Sequence, residues 1–249
     1  GVGAGVDGFK AGDRVVCVGA GDASHAELVS VPATLCALVP ENVDDETAAF
    51  TALGGIALQA VQKTKFASGD TVAVIGLGLL GPLSTQLLKS YGCRVLGLDL
   101  DPSKTARALD SGAEAVETNY DRFAALCAAR TGGRGVDSVI VFAATPSNEP
   151  LERAADVCRE HGRIVAAGLI GLEVPRRTFF EKELELVVPK AWGPQSNLEE
   201  VLAQAAAGKL RVTPLITHRF PFEQAVTAYE TLLAGKTACV GVVLNYADS

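Results

Sequence analysis

One stretch constrains the fold of this chain more than any other: Thr71–Gly81, TVAVIGLGLLG, with Asp99 standing 23 residues after its first glycine. A β-branched apolar run leads into Gly76-x-Gly78-x-x-Gly81, and the apolar spacing of Leu80–Ser90 predicts a helix. Arg94–Leu98 then reads as a second apolar strand that ends in the carboxylate of Asp99. A strand, a glycine turn, a helix and a second strand, in that order, form a site for a dinucleotide. Gly76 permits the tight turn, Gly78 lets the backbone approach a pyrophosphate, and Gly81 lets helix and strand pack closely. The N–H groups that open the helix, near Leu79 and Leu80, would face the phosphates at the positive end of the helix dipole. Asp99 would accept hydrogen bonds from the adenosine ribose. A carboxylate there repels a 2′-phosphate, and neither Arg94 nor Arg107 is placed to bind one, so the expected cofactor is NAD.

Charge and hydropathy exclude other partners. A net charge of −7 over 249 residues disfavours nucleic acid and anionic membranes. No uninterrupted apolar run reaches the roughly 18 residues of a membrane-spanning helix, and the glycine-rich opening lacks the order of a signal peptide. The cysteines at 17, 36, 93, 127, 158 and 239 form no CxxC or other metal spacing, which suggests reduced thiols in a cytoplasmic protein. The sequence contains no methionine, and GVGAGVDGFKAGDRVV reads as a turn entering a strand in mid-domain. Both features lead us to expect that residue 1 is not a translational start.

Three blocks follow one another. In residues 1–52, short β-type runs (Arg14–Val18, Ala26–Val31, Leu35–Leu38) suggest part of a small barrel, and Asp44–Gln62 predicts one helix behind an aspartate cap. In residues 53–205, strands at Thr71–Ile75, Arg94–Leu98, Ala115–Glu117, Asp137–Phe142, Arg163–Ala167 and Leu184–Val188 alternate with helices. Those helices are read at Leu80–Ser90, Pro102–Ser111, Asp121–Arg130 and Asn148–His161. Apolar strands joined by amphipathic crossovers imply an α/β fold, a doubly wound parallel sheet with its ligand beyond the carboxyl ends of the strands. A helix at Leu198–Gly208 begins the third block. Residues 206–249 return to the first domain, with strands at Leu215–Arg219 and Val240–Asn245 around a helix at Phe222–Ala234.

With these residues in place, the chain resembles the medium-chain dehydrogenase/reductase family along nearly all its length. GVDGFKAGDRVV is similar to the turn and strand beside that family's catalytic cleft, and SHAELVSVPATLCALVPENVDDETAAF to its strand, loop and acidic helix cap. SGDTVAVIGLGLLG, LGLDLDPSKTARALDSGA, RGVDSVIVFAA, HGRIVAAGL, FFEKELEL and PLITHRFPFEQAVTAYETLLAGK follow its order. The texture of FTALGGIALQAV and of PRRTFFEKELEL with PLITHRFPFEQA is similar to the bacteriochlorophyllide-dehydrogenase-like and bi-domain oxidoreductase subgroup. The resemblance implies a Rossmann sheet with a partial GroES-like barrel. It also implies hydride transfer between a nicotinamide and a small polar or sugar-like alcohol or carbonyl, by a homodimer joined near Leu184–Val188. The chain departs from the family in lacking the early strands with a GHE-type segment. Zinc-dependent relatives carry a cysteine where this chain has Thr51, and Gly19–Ser24 is too short for a four-cysteine lobe. No metal is therefore expected.

By the same resemblance the nicotinamide would lie between the domains, beside the start of the Thr51 helix. Thr51 becomes the candidate catalytic residue, donating a hydrogen bond or relaying a proton; the plainer alternative is a threonine bonded to its own helical turn. Ala143, Ala144, Thr145, Gly168 and Leu169 would line the cofactor, although small residues also suit tight packing. Lys104 would reach a ribose hydroxyl or simply remain a solvated helix lysine. His25 is a weaker cleft candidate, His161 fits a helix C-terminus, and His218 suits a structural hydrogen bond. Trp192 reads as an interface, pocket or packing aromatic. Two other functions stay open: an NAD(H)-binding module without turnover, and an NADPH-dependent enoyl or quinone reductase, against which Asp99 argues.

Overall fold

The computed structural model describes residues 1–191, 193–234 and 239–246; Trp192 lies outside them. The chain divides into two compact units, one formed by Gly1–Gly55 with Gly193–Ser249, the other by Ile56–Trp192.

In the first unit, β1 (Val15–Cys17) pairs antiparallel with β2 (Cys36–Leu38), which sets Cys17 opposite Cys36. Helix α1 (Asp45–Ala49) starts where the Asp44 carboxylate accepts the Thr47 N–H at 2.8 Å. Helix α2 (Thr51–Lys63) follows and carries the chain into the second unit.

The second unit alternates strictly. Its strands are β3 (Thr71–Ile75), β4 (Arg94–Leu98), β5 (Ala115–Glu117), β6 (Val136–Val141), β7 (Cys158–Ala166) and β8 (Glu185–Val187). Between them run α3 (Leu80–Ser90), α4 (Pro102–Asp110), α5 (Tyr120–Arg130), α6 (Glu149–Val157) and α7 (Arg176–Lys182). All strand pairs are parallel, in the order β5-β4-β3-β6-β7-β8. This is the doubly wound Rossmann sheet, whose order reverses between β3 and β6. Both β3 and β6 are buried along their whole length, as central strands covered on two faces must be. On one face Ala73, Ile75, Leu96, Leu98, Val139 and Val141 pack with Phe123 of α5 and Leu151 and Ala154 of α6.

The chain then returns to the first unit through α8 (Gln195–Ala206), β9 (Ile216–Pro221), α9 (Ala225–Ala234) and β10 (Gly241–Asn245), with β10 parallel to β9. Val16, Val18, Ala37, Ala48, Leu198 and Leu202 form its core. The start of α2 lies so close to α8 that a Cβ on Gly54 would come within 2.6 Å of Val201. The partial barrel is thus represented, among the described residues, by two separate two-stranded sheets.

The structure corrects three expectations and adds one helix. Ala26–Val31 is not a strand; among the described residues no ladder partner takes its backbone groups, and Leu28 is 92% exposed. The single helix over Asp44–Gln62 is two, because Phe50 takes φ −86° and ψ 1° and its N–H closes on Thr47 instead of continuing the ladder. The helix read at Asn148–His161 stops at Val157, and the chain is extended from Cys158. There β7 loops outward, since Cys158 faces Val136 while Arg163 faces Ser138. His161 therefore lies at φ +54° inside β7 and not at a helix end. The added helix is α7: RRTFFEK is short and carries no buried residue to give its sequence a periodic stripe.

Candidate functional site

Parallel strands bring their carboxyl ends to one edge, and at the reversal between β3 and β6 a cleft of about 250 Å³ opens. Its walls are Ile75 and Gly76 after β3, Leu98, Asp99, Leu100 and Lys104 after β4, Tyr120 at the start of α5, and Ala143–Thr145, Ser147, Glu149 and Pro150 after β6. Of the residues singled out in the sequence, Gly76, Asp99, Lys104, Ala143, Ala144 and Thr145 are brought together here.

The three glycines of the turn do different work. Gly76 sits at φ +96°, and a Cβ on it would lie 2.7 Å from the Ala143 nitrogen, so both conformation and space require glycine. A Cβ on Gly81 would lie 2.5 Å from the Gly76 carbonyl oxygen, which locks helix α3 against the turn. A Cβ on Gly78 would meet nothing within 4 Å. No neighbour in the protein demands glycine there; what the residue supplies is open space above the turn, at the entrance to α3. Leu79 and Leu80 stand at that entrance, Leu79 as the N-cap residue without a side-chain cap. The first N–H groups of α3 consequently have no side-chain acceptor, as an anion-binding helix terminus requires.

Asp99 is tied into the same turn. Its Oδ2 accepts the Leu77 N–H at 2.8 Å and its Oδ1 accepts the Asp101 N–H at 2.9 Å, while Lys104 Nζ stands 3.6 Å from Oδ1. The side chain is 11% exposed. Each carboxylate oxygen has capacity for a further donor, which a ribose diol would supply. These residues fit the adenosine and diphosphate of a nicotinamide dinucleotide: a carboxylate held in place, a cation beside it, and a backbone cradle that a Cβ would fill.

Across the reversal, the Gly168 N–H donates to Val141 O at 2.8 Å, and a Cβ on Gly168 would overlap the Ala143 carbonyl. The Leu169 carbonyl accepts the Thr145 N–H at 2.9 Å, whereas the Leu169 side chain is 86% exposed. Gly168 and Leu169 therefore brace the 143–145 segment through their backbones and do not line the cleft themselves.

Sequence reasoning missed Tyr120, Ser147 and Glu149. Tyr120 packs under the Arg153 guanidinium, 5.4 Å from its ring centroid, and Arg153 stands 3.5 Å from Glu149. Burial pushes the Tyr120 phenol above its ordinary range, and the Glu149 and Asp99 carboxylates push it further against the opposing pull of Arg153. A signal was available: Asn119 caps α5 by accepting the Asp121 N–H, and a crossover helix that begins right after a parallel strand opens at the ligand edge.

The remaining candidates lie elsewhere. Thr51 begins α2 in the first unit; it is 1% exposed and its hydroxyl has no hydrogen-bond partner, so the bond to its own helical turn is not made. The His25 ring meets Tyr229 edge-on at 6.2 Å, and His218 Nδ1 lies 2.9 Å from Thr217 Oγ1. The exposed His161 pairs with Glu183 at 3.1 Å. Among the described residues, no group of three or more His, Cys, Asp or Glu side chains could hold a metal ion. No helix among them is long and apolar enough to cross a membrane.

A family model described as zinc-binding dehydrogenase matches residues 79–207, just over half of the chain. The chain belongs to that family. With it the chain falls in the medium-chain dehydrogenase/reductase superfamily. The sorbitol dehydrogenase of Halalkalibacterium halodurans is 26% identical over 221 residues, 86% of this chain and 64% of that protein. The chain thus spans somewhat less than two thirds of that relative's length. The crystal structure of 2R,3R-butanediol dehydrogenase from Bacillus subtilis superposes with a TM-score of 0.83 at 24% identity, covering 98% of this chain and 77% of that one. A short chain alcohol dehydrogenase from Escherichia coli CFT073, in complex with NADH, superposes at 0.76 with 26% identity, covering 86% of this chain and 64% of that one. The zinc in the family's name has no ligand set among the described residues.

Proposed function

We propose that this protein is a zinc-independent, NAD(H)-dependent oxidoreductase that moves hydride between the nicotinamide and an alcohol or carbonyl of a small polar or sugar-like substrate. The observation that carries the reading is the Asp99 carboxylate, fixed by the Leu77 and Asp101 N–H groups beside the open turn at Gly78. When bound, the dinucleotide supplies the hydride acceptor or donor. The chain's own groups do the rest. The turn and the α3 N-terminus bind the diphosphate, Asp99 and Lys104 orient the ribose, and Ala143–Thr145 border the cofactor. Thr51 holds a hydrogen bond to the reacting oxygen; its buried, unpartnered hydroxyl supports that role. The polyol substrate class is supported by the likeness to a sorbitol dehydrogenase. A cytoplasmic homodimer completes the reading, supported by β8, an edge strand followed by Val188 at 60% exposure.

Calorimetric titration with NAD, NADH, NADP and NADPH, followed by absorbance assays over polyols, alcohols and ketones, tests it. Binding of NAD(H) with turnover of a hydroxylated substrate is the expected result. Binding without turnover across the panel would instead favour a nucleotide-binding module, which needs the same cleft and no catalytic group. Tight binding of NADPH with enone or quinone reduction would overturn the cofactor assignment.

A further inference from the structure

Neighbouring strands of the first unit place two cysteines face to face. Cys17 in β1 and Cys36 in β2 are register partners, and their sulfurs are 3.6 Å apart. The ladder bonds run through the flanking pairs: the Val18 N–H donates to Leu35 O at 3.0 Å and the Val39 N–H to Arg14 O at 2.9 Å. Cys17 and Cys36 therefore occupy a non-hydrogen-bonded position, where opposed side chains come closest. The two thiols differ in environment. Cys36 is 8% exposed and also lies 3.5 Å from the Pro32 carbonyl, whereas Cys17 is partly exposed and borders a hollow lined by Val39, Ala48 and Ala52 together with Arg14 and Asp45. Burial and the neighbouring sulfur push the Cys36 thiol up to about 11, and Cys17, the more exposed of the two, is the sulfur that a small oxidant reaches first.

We propose that Cys17 and Cys36 are a peroxide-sensitive thiol pair that closes reversibly to a cross-strand disulfide. The Cys17 thiolate attacks one oxygen of hydrogen peroxide, breaking the O–O bond; the sulfur is oxidised to a sulfenic acid and the peroxide leaves as water after taking a proton. The Cys36 sulfur then attacks the Cys17 sulfur, the S–O bond breaks, and the thiol proton leaves with the hydroxyl as a second water. Two thiols and one peroxide thus give one disulfide and two waters. A small-molecule dithiol reverses the change by exchange. The bond would tie off residues 18–35, a segment without a regular strand whose Leu28 is 92% exposed. Closing that loop restricts the unfolded chain and stabilises the first unit when oxidised.

The test uses the whole, fully reduced protein, exposed to hydrogen peroxide under native conditions, denatured in an alkylating agent and mapped by mass spectrometry. The expected product is a linked pair of peptides carrying Cys17 and Cys36, lost on treatment with dithiothreitol, together with a thermal midpoint several degrees higher and slower cleavage within residues 18–35. Cys36→Ser is expected to leave a sulfenic acid on Cys17 that a dione probe traps. Recovery of both cysteines as free thiols, or of Cys17 as an unlinked sulfinic acid in the wild type, would overturn the proposal. None of these readouts depends on nucleotide binding.

Discussion

The Asp99 carboxylate accepts the backbone N–H of Leu77 at 2.8 Å, so the acid that follows β4 holds the turn that leaves β3. One side chain thereby shapes the phosphate turn and, in the proposed function, reads the ribose. The same oxygen cannot be lost without cost on both counts.

Asp99→Asn keeps the size of the side chain and removes its charge. The oxygen that remains can accept from Leu77, so the fold is expected to persist with a melting temperature within a few degrees of wild type. Affinity for NAD is expected to fall roughly tenfold, about 1.4 kcal/mol, and discrimination against NADP to narrow by a similar factor. Titration of both cofactors checks it; unchanged NAD affinity would remove Asp99 from the site.

The first and the middle glycine of the turn should separate cleanly. Gly76→Ala meets an unfavourable φ of +96° and a backbone nitrogen at 2.7 Å, so it is expected to destabilise the unit by several kcal/mol, on the order of 3. Gly78→Ala has neither problem, because nothing lies within 4 Å of its Cβ. It is expected to fold with wild-type stability and to lose most of its dinucleotide affinity. Denaturant melts paired with cofactor titration distinguish the two.

Thr51→Val removes a buried hydroxyl that has no partner and leaves the shape nearly unchanged. Deleting an unsatisfied buried polar group is neutral or stabilising, by up to about 1 kcal/mol. The variant should therefore be at least as stable as wild type and bind NAD equally well, while kcat falls on the order of 100-fold if the hydroxyl serves the reacting oxygen. Full activity would return Thr51 to a packing role.

How much of this was legible in the sequence depended on how local the signal was. The turn glycines, Asp99 and the six strands of the sheet were readable because glycine spacing and β-branched runs are fixed by neighbours in sequence. Ser147 and Glu149 were not, since only the parallel order of β4, β3 and β6 brings the loop after β6 beside Asp99; Tyr120, which follows β5, left only the indirect signal of the Asn119 cap. The break at Phe50 and the outward loop at His161 were hidden for another reason. Each depends on a backbone conformation that tertiary packing selects, and the helical periodicity on either side masks it. The opposition of Cys17 and Cys36 likewise exists only once β1 and β2 pair.

Asp137 gives the fold a pH dependence that is independent of the cleft. It is 8% exposed at the start of β6 and accepts from the Thr71 N–H at 2.9 Å, from Arg134 at 2.7 Å and from Arg159 at 2.8 Å. Burial raises its pKa, but the two guanidiniums and the Thr71 amide outweigh burial and bring it down from 3.8 to about 2. A carboxylate whose native pKa is depressed stabilises the fold above its unfolded value, and the contribution is lost as pH falls through the native one. Stability is thus expected to hold from neutrality to about pH 4 and then to drop by roughly 2 kcal/mol, from this group alone, between pH 4 and pH 2. Asp137→Asn should lose at least that much at pH 7, because two arginines then face an uncharged partner. It should also unfold with a shallower pH slope below 4, by close to one proton. Urea melts of both proteins from pH 7 to pH 2.5 measure the difference, and parallel slopes below pH 4 would show that Asp137 is not the titrating group.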